Sequence, residues 1–373
     1  MTSTSTRPPV LWRSIGLPAP WRRRPIAYVA TAVAAAAAAL ALGMWLGGNL
    51  TPSQINGLLI GGTGGLTGWG LAAAKLATEL SSIGVVGLLL ARLLLPEHDP
   101  RAGVTAMRCA RAAARLALGW ALCSAALLLF SWANVLSAPV TELPIGKLFT
   151  DPARTFPDAP EFVATTALAL VIAAGLRLTR TRLGAVTMLL LAVYNVVPMA
   201  LQGHAAHGDV LKYSLIVHVV AMTLWVGGLA ALLTHVRKEP ALLAVAVPRF
   251  STVALLCYAV IAATGALAAW NLLGSVPAVW GSRYGVLVML KVAALVALGV
   301  LGWWHRRHTV RRVRAGEGER SRRAFVRLAA AEVVVMVVAV ALAVALSRSA
   351  SPDTILQHSD REPPAPAVVS GGT

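Results

Sequence analysis

Long apolar runs separated by short charged loops recur from about residue 26 to residue 346. Each run holds roughly eighteen or more residues, enough to cross a hydrocarbon core about 30 Å thick. Ala, Leu, Val and Gly dominate the runs, without the short alternating segments of a membrane β-barrel. The pattern predicts an all-α polytopic membrane bundle of about nine transmembrane helices. They are expected at about 26–46, 69–95, 112–133, 161–179, 183–201, 210–236, 252–272, 284–304 and 324–346. The second and sixth exceed a perpendicular span and are expected to tilt. The chain then divides into a basic cytoplasmic segment (1–25), a five-helix membrane region (26–201), a four-helix membrane region (202–346) and a tail (347–373). The tail is rich in Pro, Ser and Gly and is expected to be extracytoplasmic and disordered.

Composition agrees with this frame. Hydrophobic residues make up 57% of the chain and charged residues 13%, against about 25% charged in soluble domains. The net charge of +18 could suggest a nucleic-acid partner. Its placement argues otherwise, because Lys and Arg cluster in short loops, as topology signals do. With the N-terminus inside, 25 of the 33 Lys and Arg fall on the cytoplasmic side and 6 outside, leaving Lys75 and Lys291 within helices. This predicts a multi-pass cytoplasmic-membrane protein with its C-terminus outside. Arg22, Arg23 and Arg24 ahead of the first run look like a signal-peptide n-region. The run is longer than an ordinary h-region and no small-x-small site follows, so it reads as a retained helix. The three cysteines, Cys109, Cys123 and Cys257, form no CxxC pair and predict no disulfide framework. Cys109 is expected in a cytoplasmic segment. No P-loop is present. No soluble domain interrupts the pattern, and the chain is read as a non-enzyme.

Candidate chemistry gathers around the sixth helix. Ahead of it stands Gly203-His204-Ala-Ala-His207-Gly-Asp209, and within it His218, Met222 and Trp225. The last three follow i, i+4, i+7 and share one helix face. His218 lies roughly 12 Å along the helix from the outer surface, at 1.5 Å per residue. Imidazole and thioether suit copper, soft sulfur favouring Cu(I). An outer His-x-x-His pair followed by His218 and Met222 would form a ligand ladder leading inward. The plainer reading is a chance His pair, a packing Met and a His218 hydrogen-bonded to a neighbouring helix. Lys75 and Glu79, four apart in the second helix, can pair with each other. Lys291 sits deep in the eighth helix, where it either packs or controls a cation path. Glu332 is expected to snorkel toward the inner surface. His235, His305 and His308 lie at the inner surface among basic residues, as interfacial histidines or an exit site.

From the sixth helix onward the chain resembles the CopD family of bacterial copper-resistance and copper-transport membrane proteins. The resemblance is carried by His218, Trp225-Val226-Gly227-Gly228-Leu229, Arg249-Phe250-Ser251, Gly265, Tyr284-Gly285 and Lys291, with Gly203-His204 ahead of them. It spans roughly residues 200–310, making 202–346 the CopD-like region. It implies copper movement across, or delivery at, the cytoplasmic membrane, with His204 and His218 as the leading functional residues. The transport reading is import: His204 and His207 capture the ion, His218 with Met222 relays it, and Gly227 and Gly228 permit close helix approach. Some relatives carry a fused CopC-like domain; here a CopC-like periplasmic carrier is expected to be a separate partner. Two other readings stay open. One is a redox protein binding haem or quinone, although His218 has no evident second axial histidine. The other is a membrane dock for a periplasmic copper chaperone.

Overall fold

In a bilayer each backbone N–H and C=O must be satisfied within its own segment, so apolar runs of this length fold as helices. The computed structural model describes residues 24–46, 53–55, 58–60, 64–150, 156–201, 209–273, 283–304, 307 and 318–347. The long helices among them are α1 (Arg24–Leu46), α2 (Gly64–Leu94), α3 (Pro100–Val135), α4 (Ala159–Leu178) and α5 (Arg182–Leu201). They continue with α6 (Asp209–Ala231), α7 (Pro240–Leu273), α8 (Arg283–Trp304) and α9 (Gly318–Leu346). Each expected span falls on one of these. Among the described residues six helices are long and apolar enough to cross a membrane: Gly65–Leu94, Pro100–Val135, Ala159–Leu178, Val210–Val236, Pro240–Trp270 and Ala324–Ala345. The apolar parts of the other three, Ala30–Leu46, Arg182–Pro198 and Val288–Trp304, are shorter. The all-helical reading misses one small element. β1 (Ser53–Ile55) pairs antiparallel with β2 (Leu58–Ile60), Ser53 opposite Ile60.

Two helices start well before their expected positions. α3 begins at Pro100 rather than near residue 112. Asp99 caps it, its carboxylate accepting from the Arg101 N–H at 2.8 Å, and a proline in the first turn forgoes an N–H that would have no helical partner. The added turns are amphipathic. Arg101, Arg108, Arg111 and Arg115 are exposed, whereas Ala102, Thr105, Cys109 and Ala113 are buried. Cys109 therefore sits inside the bundle rather than in a loop. α7 likewise starts at Pro240, not near 252, and runs on through Pro248. α6 closes in a π-turn, Leu232–Val236, with the Arg237 N–H donating to the Leu232 carbonyl at 3.0 Å.

Packing groups the helices differently from their order in the chain. α2 to α5 share one apolar core around Trp120, Leu89 and Ile172. α1 joins α6 to α9 in a second, around Leu232, Leu243 and Met336, and lies against α9. The sequence division at 201/202 is thus one of chain order. α2 contributes to both cores and packs on α3, α5 and α6. Its contact with α6 is backbone to backbone: a Cβ on Gly87 would strike the main chain of Gly227, and one on Gly227 would strike the Ile83 carbonyl and Gly87. Next to it, a Cβ on Gly228 would strike the Phe250 ring of α7.

The cationic loops between α2 and α3, α4 and α5, and α6 and α7 meet at one end of the bundle. The last carbonyls of a helix have no partner inside it, and here arginines supply them. Leu93 O accepts from Arg182 at 3.2 Å and Leu94 O from Arg249 at 2.8 Å. Arg92 donates to the Arg180 and Thr181 carbonyls at 2.9 and 3.2 Å, and Arg182 pairs with Glu97 at 2.7 Å. Because the α2–α6 crossing leaves no room for a side chain, Gly87→Val and Gly227→Val are each expected to destabilise the protein by about 1–3 kcal/mol. An earlier thermal transition in detergent would register this. Gly265→Ala, whose new methyl meets the His218 ring at 3.8 Å, is expected to leave the transition unmoved.

Candidate functional site

His218 lies in α6, half-buried and facing α7. Its Nδ1 is 2.7 Å from the hydroxyl of Thr264, and that hydroxyl donates to the Val260 carbonyl at 2.6 Å. The hydrogen bond to a neighbouring helix is therefore present. It occupies one ring nitrogen of two and leaves the question of ligation to the other. Gly265 follows Thr264 on α7, and a Cβ built there would have the His218 Cε1 as its one neighbour within 4 Å among the described residues.

The face predicted for α6 can be followed inward. Trp225 is buried and meets Tyr258 of α7 edge to face, with centroids 5.7 Å apart and planes at 87°. The pairs His218–Thr264 and Trp225–Tyr258 run in opposite chain directions, as antiparallel helices require. This register sets Met222, partly buried against the second core, at the level of Ile261. One turn further on, Gly227 and Gly228 carry the contacts with α2 and α7 described above.

Charged groups approach the same region from other helices. Glu79 of α2 has Lys75 and Lys291 as its charged neighbours, and Lys291 of α8 acts in turn on His218. Among the described residues Glu79 forms no direct ion pair, so Lys75 and Lys291 act on it through space. Lys75 Nζ donates to Ser347 Oγ at the end of α9, at 3.0 Å. The spacing of Lys75 and Glu79 predicted their proximity but not its form, because the ammonium turns to Ser347 instead of pairing with the carboxyl; the influence of Lys291 on both Glu79 and His218 required three helices to assemble. Glu332 corrects an expectation. It is 5% exposed on α9, inside the bundle, and does not snorkel.

The histidine ladder is described only in part. His204 and His207, its outer rungs, lie outside the described residues, as do His305 and His308. His235 sits in the π-turn at the arginine-rich end, its Nδ1 2.8 Å from the Thr234 hydroxyl. Among the described residues no three of His, Cys, Asp and Glu gather as a metal site. All three cysteines are free, Cys109 and Cys257 buried. The missed residue of the site is Thr264. A hydroxyl alone in an apolar run hinted at it, yet nothing in the sequence paired it with His218.

Apolar helices of spanning length, with half-buried ionisable groups among them, define an α-helical membrane protein. Within it, residues 244–346 match the family model described as copper resistance protein D, CopD. The CopD resemblance is thereby borne out, over α7, α8 and α9. The match includes Arg249-Phe250-Ser251, Thr264, Gly265, Tyr284-Gly285 and Lys291; His218, Met222 and the Trp225–Leu229 segment lie ahead of it. No curated protein and no solved structure matches the chain.

Glu79→Gln removes the acidic group on which Lys75 and Lys291 act and is expected to lower the thermal transition. In a double-mutant cycle with Lys291→Met, a coupling of about 0.5–3 kcal/mol is expected. Strictly additive losses would show that Glu79 and Lys291 do not sense each other.

Proposed function

We propose that the protein carries copper ions inward across the bacterial cytoplasmic membrane and contributes to copper homeostasis or resistance. The observation that carries this reading is the meeting of the CopD segment with α6 at His218. The segment supplies Thr264 to the imidazole and Lys291 to the electrostatics around it. An ionisable ring inside a membrane bundle is costly and marks function by default. A thioether one helical turn away extends the ligand set in a manner suited to Cu(I). In this reading His204 and His207 collect copper at the outer surface, and His218 with Met222 passes it along α6. Lys75, Glu79 and Lys291 set the field it crosses. A separate CopC-like periplasmic protein is the expected donor, and no covalent catalytic step is assigned.

The reading includes nine membrane passes with the N-terminus inside. Its support is the positive-inside charge distribution together with the gathering of three cationic loops at one end. A cysteine replacing Arg180 is accordingly expected to resist a membrane-impermeant maleimide in intact cells, and one replacing Ser370 to react.

Copper uptake into proteoliposomes tests transport itself. The unsubstituted protein is expected to accumulate copper, and His218→Ala to lower the initial rate roughly tenfold or more, since even supporting residues of a metal site cost 10–100-fold when removed. His204→Ala is expected to raise the copper concentration needed for half-maximal uptake. Equal rates for His218→Ala and the unsubstituted protein would exclude the relay.

A further inference from the structure

The hydrogen bonds around Thr264 fix a property of His218 that its position alone does not. A threonine hydroxyl has one proton and two lone pairs. Here that oxygen lies 2.6 Å from the Val260 carbonyl oxygen and 3.3 Å from that of Ile261, both acceptors only. If the proton pointed anywhere else, the hydroxyl and Val260 oxygens would confront each other with lone pairs at 2.6 Å. The proton is therefore committed to the helix carbonyl, as is usual for a threonine bonding back along its own helix. What remains toward His218 is a lone pair, and Nδ1 approaches it to 2.7 Å. Nδ1 must bring the proton to that bond. In a neutral imidazole only one nitrogen carries a proton, so Nε2 is left bare. Among the described residues Nε2 has no hydrogen-bond partner, and Gly265 keeps the space beside Cε1 free of a side chain.

We propose that Thr264 is a positioning residue: it holds His218 as the Nδ1–H tautomer and so presents the Nε2 lone pair as the metal-ligating atom. That the ligand is copper rests on the transport reading above; the assignment of the tautomer does not. Metal-bound histidines commonly donate their second ring N–H to a fixed acceptor, which orients the ring and strengthens it as a ligand. The acceptor here belongs to the CopD-matched segment and the histidine lies before that segment, so α6 and α7 complete the unit together.

The tautomer can be read directly. Protein carrying 15N-histidine, reconstituted in lipid at about pH 8 where ordinary imidazole is neutral, is observed by solid-state NMR. The His218 signals are identified by their loss in His218→Gln. The expected result is a protonated Nδ1 and an unprotonated Nε2 in the unsubstituted protein and in Thr264→Ser. In Thr264→Val the preference is expected to be lost, and Cu(I) added to the sample is expected to bind roughly 10–100-fold more weakly. A protonated Nε2 in the unsubstituted protein would overturn the proposal. So would a Thr264→Val protein that keeps the Nδ1–H form. The unsubstituted protein alone decides the tautomer, so the test stands even if Thr264→Val does not fold. Failure of the unsubstituted protein to take up copper overturns the transport reading separately, because the tautomer is recorded with no copper present.

Discussion

At the crossing of α2 and α6, Gly87 and Gly227 bring two backbones into contact. Lipid offers no hydrophobic incentive for apolar helices to associate, so close packing of small residues must supply it. α2 also lines the core shared by α2 to α5 and the one shared by α1 and α6 to α9, which makes this crossing a join between the two groups of helices. The neighbouring contacts, Ile83 with Gly227 and Leu90 with Gly228, advance in the same direction along both helices, as parallel helices require. Glu79 precedes the crossing by eight residues and His218 by nine. At 1.5 Å per residue both stand roughly 12–14 Å above it. One contact between glycines thus brings an acidic group and an imidazole from distant parts of the chain to the same depth.

Around that level α7, α8 and the end of α9 add one group each. α7 gives Thr264, which engages the ring of His218; α8 gives Lys291, which acts on both His218 and Glu79. α9 gives Ser347, which accepts from Lys75. The result is a half-buried polar interior among apolar helices, with the indole of Trp225 packed on Tyr258 beneath it. Such an interior is expensive in a bilayer, and its components come from both sides of the boundary at which the CopD match begins. The matched segment and the helices before it therefore form one site.

Hydropathy located the helices because the bilayer imposes a length and an apolar composition that appear in the sequence as uninterrupted runs. It located their ends less well. Beyond the hydrocarbon a helix needs only one apolar stripe, so the first turns of α3, with Arg101, Arg108 and Arg111 on the open side, read as a charged loop. Pro240 and Pro248 similarly concealed the early start of α7. The β1–β2 pair lies on a short stretch that carries no such period. At the site, the shared face of His218, Met222 and Trp225 was legible because it is a property of one helix. The partnership of His218 with Thr264 and of Glu79 with Lys291 was not, because each depends on which helices become neighbours. Glu332 was misplaced for the same reason: its depth was readable, and the side of α9 that the bundle covers was not.

In the proposed transport cycle, copper is held at the level where α6 meets α7, by the imidazole of His218 with the thioether of Met222 beside it. X-ray absorption of the reconstituted protein loaded with Cu(I) tests this most directly. Both nitrogen and sulfur scatterers are expected around the metal, with imidazole scattering reduced in His218→Ala and sulfur lost in Met222→Leu. Spectra unchanged by both substitutions would place the copper elsewhere and contradict it.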